Sequence, residues 1–65
     1  MKHYYININA LPTGIHEIHT EGCTYLPTER TYLGNFEKCD EAVEKAKTVY
    51  EQVNGCAACL PSCHK

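Results

Sequence analysis

Three of the chain's five cysteines fall within its last ten positions, in the closing stretch GCAACLPSCHK. So much sulfur at one end limits what the rest of the chain can be. The chain has 65 residues, enough for one domain. A domain of this size buries only about 60% of the surface its unfolded form exposes, and it normally needs a staple: disulfides, a metal or a partner subunit. The apolar inventory is thin, with one Phe, no Trp and five Tyr. The cysteines are therefore the expected source of the staple.

An odd number of cysteines cannot all pair within one chain. The opening MKHYYININALPTG offers Lys2 as a charged residue, but His3, Tyr4, Tyr5, Asn7 and Asn9 interrupt any apolar leader segment. No run reaches membrane-spanning length. A reducing cytoplasm is the resulting expectation, and there a cysteine pattern points to metal or catalysis before disulfides. The formal net charge of −2 argues against a non-specific nucleic-acid binder, which should be basic. Lys38, Lys45 and Lys47 sit among acidic residues.

Tyr4–Ile8 reads as a strand with Tyr4, Ile6 and Ile8 on one face. Leu11-Pro12-Thr13-Gly14 reads as a turn, Ile15–His19 as a second strand, and Thr31–Phe36 as a third. From Asp40 to Val53, the residues Ala42, Val43, Ala46, Val49, Tyr50 and Val53 form one apolar stripe at helical spacing. Asp40 and Glu41 suit the N-terminal dipole, and Asn54-Gly55 suits a helix end. The expected fold class is α+β: about three short antiparallel strands packed on one C-terminal helix, stapled by one zinc. It forms a single domain over 1–65, with 1–2 and 61–65 as its flexible ends.

Cys56-Ala57-Ala58-Cys59 is a CxxC knuckle, whose spacing lets both sulfurs face one point. The motif also fits a redox pair, which prefers the start of a helix. Here the expected helix ends just before the motif, and that dipole end disfavours a thiolate unless a metal compensates. His19-Thr20-Glu21-Gly22-Cys23 supplies a second pair, HxxxC, with Gly22 easing the turn. His19, Cys23, Cys56 and Cys59 are thus the expected ligands of one Zn²⁺ in a Cys3His site. Cys63 in place of His19 is the competing assignment, and His64 is a spare donor beside it. His16 lies an odd number of residues from His19, so a strand places the two on opposite faces. Cys39 reads as a small buried hydrophobe, with a dipole-activated thiol as the alternative. Cys63 is a spare ligand or, under oxidation, a partner for Cys39.

The order His19-x3-Cys23, Tyr25-Leu26, Tyr32-Leu33-Gly34-Asn35-Phe36, a helix with Ala42 and Ala46, then Gly55-Cys56-x2-Cys59 resembles the small Ada-type zinc-binding domains. It is also similar to small bacterial proteins of the same length and plan. The resemblance spans about residues 15 to 60 and implies a small sheet on one helix, with one zinc at His19, Cys23, Cys56 and Cys59. It does not carry over alkyl transfer: that chemistry uses four thiolates, and the position of the acceptor thiolate is His19 here.

The functional expectation is a non-enzymatic binding or interaction module with a structural zinc and a protein partner. One alternative is a thiol-based redox switch or Ada-like alkyl acceptor using zinc thiolates. The other is a nucleic-acid-binding accessory protein, which the charge disfavours. No membrane association is expected.

Overall fold

The structure is a computed structural model that describes residues 1–64. Four strands, β1 (Lys2–Asn7), β2 (His16–Thr20), β3 (Arg30–Phe36) and β4 (Val53–Gly55), form one sheet in the order β3-β1-β2-β4. One helix, α1 (Cys39–Ala46), and a short 3-10 turn, Pro61–Cys63, complete the fold. The architecture is α+β, as expected, with two corrections. The sheet has four strands and is mixed, because β4 runs parallel to β2. The helix is not C-terminal, because β4 and the 3-10 turn follow it.

Strand alternation is visible in β1, where Tyr4 and Ile6 are buried and their neighbours point to the other face. Ile8 lies beyond the strand and is exposed, so it does not extend the buried row. The Leu11–Gly14 turn closes with the Gly14 N–H donating to the Leu11 carbonyl at 2.7 Å, and Gly14 takes a positive φ of 88°. The antiparallel register sets Ile6 opposite Ile18 and Tyr5 opposite His19. Ile18 is therefore a core residue, and His19 projects from the opposite face. His16 shares Ile18's side of the strand and stacks on Tyr50, with ring centroids 3.6 Å apart.

On the other flank, β3 pairs Gly34 with Tyr4 and Tyr32 with Tyr5, which leaves Leu33 as one extra residue. This bulge turns Leu33 into the core. Gly34 has φ 141°, and a Cβ added there would lie 2.9 Å from the Phe36 ring. Only glycine lets that ring fold over the strand and pack near Tyr4, at 6.1 Å between centroids. Gly34→Ala is expected to destabilise the protein by about 1–3 kcal/mol through the unfavourable φ and the displaced ring. Equilibrium denaturation against the parent chain measures this.

The helix was expected to run from Asp40 to Val53, but it ends at Ala46. Its N-terminus is closed by Glu41, whose carboxylate accepts the Lys38 N–H at 3.2 Å. Beyond Ala46 lie Thr48, Val49 and Tyr50, β-branched and aromatic residues with modest helix propensity. Thr48 turns its hydroxyl back to the Lys45 carbonyl at 2.6 Å. The later part of the apparent stripe has other uses. Tyr50 leaves to stack on His16, Val53 pairs with His16 in β4, and Val49 stays exposed. The helix instead buries Ala42 and Ala46, with Val43 partly covered. Its short side chains let the backbone lie close over Tyr4, Ile6, Ile18 and Leu33, which form the core with Leu60 and Cys63.

A disulfide joins Cys39, the first residue of α1, to Cys63, the last of the 3-10 turn. Cys39 is therefore not the unpaired small hydrophobe that its position suggested. Lys65 lies outside the described residues. No helix among the described residues is long and apolar enough to cross a membrane.

Candidate metal centre

Parallel pairing between β2 and β4 builds the site. The register sets Ile18 beside Gly55, so the next residues, His19 within β2 and Cys56 just after β4, adjoin. The Cys56 N–H donates to the Ile18 carbonyl at 2.9 Å and fixes that join. The chain then turns through the CxxC, with the Leu60 N–H donating to the Cys56 carbonyl at 2.8 Å. This turn brings Cys59 back beside Cys56. On the other strand, Glu21 and Gly22 form a tight turn, and the Cys23 N–H donates to the Thr20 carbonyl at 3.1 Å. Cys23 thereby folds back under His19.

His19, Cys23, Cys56 and Cys59 each offer a donor atom, and these four atoms lie within 4.8 Å of one another. His19 Nδ1 is 3.4 Å from Cys23 Sγ, and Cys23 Sγ is 3.9 Å from Cys56 Sγ. A tetrahedral centre with metal–sulfur bonds of about 2.3 Å and metal–nitrogen bonds of about 2.0 Å has edges of about 3.8 Å between sulfurs and about 3.5 Å between nitrogen and sulfur. The two separations therefore suit the edges of such a tetrahedron. The donor set is able to hold a metal ion.

The surroundings fit the same use. His19 is 1% exposed and Cys56 is 4% exposed, whereas Cys23 and Cys59 are half-buried. Burial lowers the His19 pKa, with the Glu17 carboxylate opposing that shift. Glu17 Oε1 stands 3.8 Å from His19 Nε2, the nitrogen left over when Nδ1 faces the sulfurs. At that distance the carboxylate is an electrostatic neighbour of the ring rather than a hydrogen-bond partner. Burial also drives the Cys23 thiol up to about 12, helped by its sulfur neighbours Cys59 and Cys56 and opposed by the Tyr25 N–H. At Cys56 burial also raises the pKa, but the Cys59 and Ala58 N–H groups outweigh it and the net shift is down. The knuckle thus aims backbone amides at sulfur, the arrangement an anionic thiolate needs.

These shifts give metal binding a definite pH dependence. Without a metal, Cys23 keeps its proton at neutral pH, so binding must release it. Affinity should rise with pH across the neutral range, by at least about tenfold per unit for one displaced proton. Metal titrations at several pH values, with proton release followed in weak buffer, test this.

All four expected ligands are brought together. His16 lies apart, donating from Nδ1 to the Asn7 carbonyl at 2.8 Å. His64 donates from Nδ1 to the Gly55 carbonyl at 3.0 Å. Cys63, the rival for the place of His19, is committed to Cys39. The expected positioning of the CxxC by a helix end is corrected, because β4 carries it. Glu17 was not singled out in the sequence, although its place two residues before His19 in an alternating strand puts both side chains on one face. No protein-family model matches the chain, and the curated proteins and solved structures compared with it give no match either.

Proposed function

We propose that this chain is a structural-zinc domain of Ada-like plan that acts as a non-enzymatic binding module. The observation that carries this reading is the convergence of one imidazole and three thiols at tetrahedral spacing. Three sulfurs and one nitrogen favour zinc over the harder divalent cations, which prefer oxygen. His19, Cys23, Cys56 and Cys59 would hold the ion. A bound zinc supplies folding energy and a fixed charge, and four protein ligands leave no open position for a substrate.

A binding role draws support from the sheet face that α1 leaves uncovered. Tyr5 and Tyr32 are cross-strand neighbours there, 5.3 Å between centroids, with His3 against Tyr32 and Arg30 over the Tyr5 ring. Tyr32 is 51% exposed. Tyrosine and arginine are the residues that most often anchor protein interfaces. The net charge of −2 favours a protein over a nucleic acid as the partner.

Cobalt substitution tests the zinc reading. Tetrahedral Co²⁺ with three thiolates is expected to show intense sulfur-to-metal charge-transfer bands and strong visible bands, at one equivalent per chain. Added azide should leave them unchanged if all four positions belong to the protein. Weak octahedral bands, or a spectrum that responds to azide, would remove the closed structural site from consideration.

A further inference from the structure

The cysteines divide into two sets of different chemistry. Cys23, Cys56 and Cys59 are unpaired, and they cluster with His19. Cys39 and Cys63 form a bond that reaches from the helix to the 3-10 turn. That bond is asymmetric. Cys39 is half-buried on the first turn of α1, while Cys63 is 6% exposed and part of the core. Gly55 is packed against Cys63, and a Cβ added at Gly55 would lie 3.0 Å from the Cys63 Cβ. Asp40 stands over both sulfurs, with Oδ1 3.2 Å from Cys63 Sγ and 3.8 Å from Cys39 Sγ.

From this arrangement the structure assigns a thiol–disulfide exchange site to Cys39–Cys63, entered at Cys39 and read by a dithiol reductant. A thiolate of the dithiol attacks Cys39 Sγ, the sulfur of the more exposed residue, and the S–S bond breaks. The electron pair goes to Cys63, which takes a proton from solvent. The second thiolate of the dithiol then displaces Cys39 from the mixed disulfide, and Cys39 is protonated in turn. The dithiol leaves as a disulfide, and two electrons and two protons have passed to the protein.

Asp40 sets how readily this happens. The sulfur leaving Cys63 emerges as an anion beside a carboxylate, and the two charges repel. A poorer leaving thiolate slows exchange and keeps the pair oxidised until a strong reductant arrives. What opens is local. Reduction frees the 3-10 turn from the helix and alters the wall of the open groove that Cys63 shares with Asp40, Val43, Val53 and Asn54. The β2–β4 pairing that builds the four-residue cluster stays in place.

The test uses the full chain, without denaturant, in a graded series of dithiothreitol. The reaction is quenched with N-ethylmaleimide, adducts are mapped by peptide mass, and zinc content is recorded in parallel. The pair Cys39 and Cys63 should gain two adducts together while far-ultraviolet circular dichroism is retained. Asp40→Asn should be reduced at least about fivefold faster at pH 7. Glutathione disulfide should add to Cys39 in Cys63→Ser at least about tenfold faster than to Cys63 in Cys39→Ser. A bond reduced only in denaturant, an unchanged rate in Asp40→Asn, or faster addition at Cys63 would overturn the assignment. A chain that exchanges at Cys39 but carries no zinc would contradict the zinc reading alone. A zinc-loaded chain whose disulfide is inert would contradict exchange alone.

Discussion

Cys56→Ser is expected to leave the chain without its metal and largely unfolded. Cys56 is the least exposed of the three cluster cysteines, it begins directly after β4, and its N–H holds the join to Ile18. The hydroxyl of serine is a poor replacement for a thiolate on zinc, because it does not deprotonate readily and is a harder donor. The loss exceeds one contact. Structural zinc supplies apparent binding energy of about 10–16 kcal/mol in small domains. A core of this size supplies only about 3–5 kcal/mol. Among the described residues, the apolar core is Tyr4, two isoleucines, two leucines and two alanines, joined by Cys63. The cluster also links the β2 end and the following turn to the segment after β4, so its loss releases a strand of three residues from the sheet edge. Circular dichroism and metal analysis of the purified variant report the result. A folded, zinc-loaded Cys56→Ser protein would refute the ligand assignment.

Cys39→Ala should cost about 3 kcal/mol of stability and should leave the metal bound. For a lone cysteine acting as a small hydrophobe at a helix start, the same substitution would be nearly neutral. The disulfide corrects this. It closes a loop with a sequence separation of 24, long enough for a loop-closure contribution of about 3 kcal/mol. The loss falls on the helix and the 3-10 turn, which the cluster does not grip directly. Denaturation midpoints measured with and without reductant isolate the effect. The parent should be the more stable under oxidising conditions, and the difference should shrink when both chains are reduced. Equal midpoints under oxidising conditions would mean that the bond does not stabilise the fold.

The parts of this protein that could be read from sequence are those encoded by short spacing. HxxxC and CxxC each confine two donors to one turn of chain, and joining the two pairs needs no knowledge of the strands between them. The first two strands were legible because Tyr4, Ile6 and Ile18 alternate with residues of the other face, and the third from its β-branched and aromatic residues Thr31, Tyr32 and Phe36. Strand β4 was not. Three residues carry no usable period, and Val53 falls equally well on a helical stripe extended from Ala42 and Ala46. What selects the strand is non-local: β2 offers an open edge, and His16 and Ile18 find backbone partners there. The parallel direction of that pairing, which brings His19 beside Cys56, was equally out of reach.

The disulfide was legible only as one alternative, with Cys63 as a partner for Cys39 under oxidation. Five cysteines permit many pairings, and spacing does not choose among them. Its presence also weakens one expectation, because such bonds persist in oxidising surroundings and are uncommon in a reducing cytosol. The cysteine pattern by itself therefore no longer points to the cytoplasm. The disulfide ties the segment after β4 to the helix, and a metal held by the four-residue cluster would tie that same segment to β2.

The most direct test is native mass spectrometry of the protein as purified, without added metal, before and after chelation. The account predicts one zinc per chain and a polypeptide mass lowered by the two hydrogens of a single disulfide. Chelation should remove the zinc and the fold together while the disulfide stays. A metal-free chain that is fully folded, or one that keeps its fold after the chelator has taken the zinc, would contradict it.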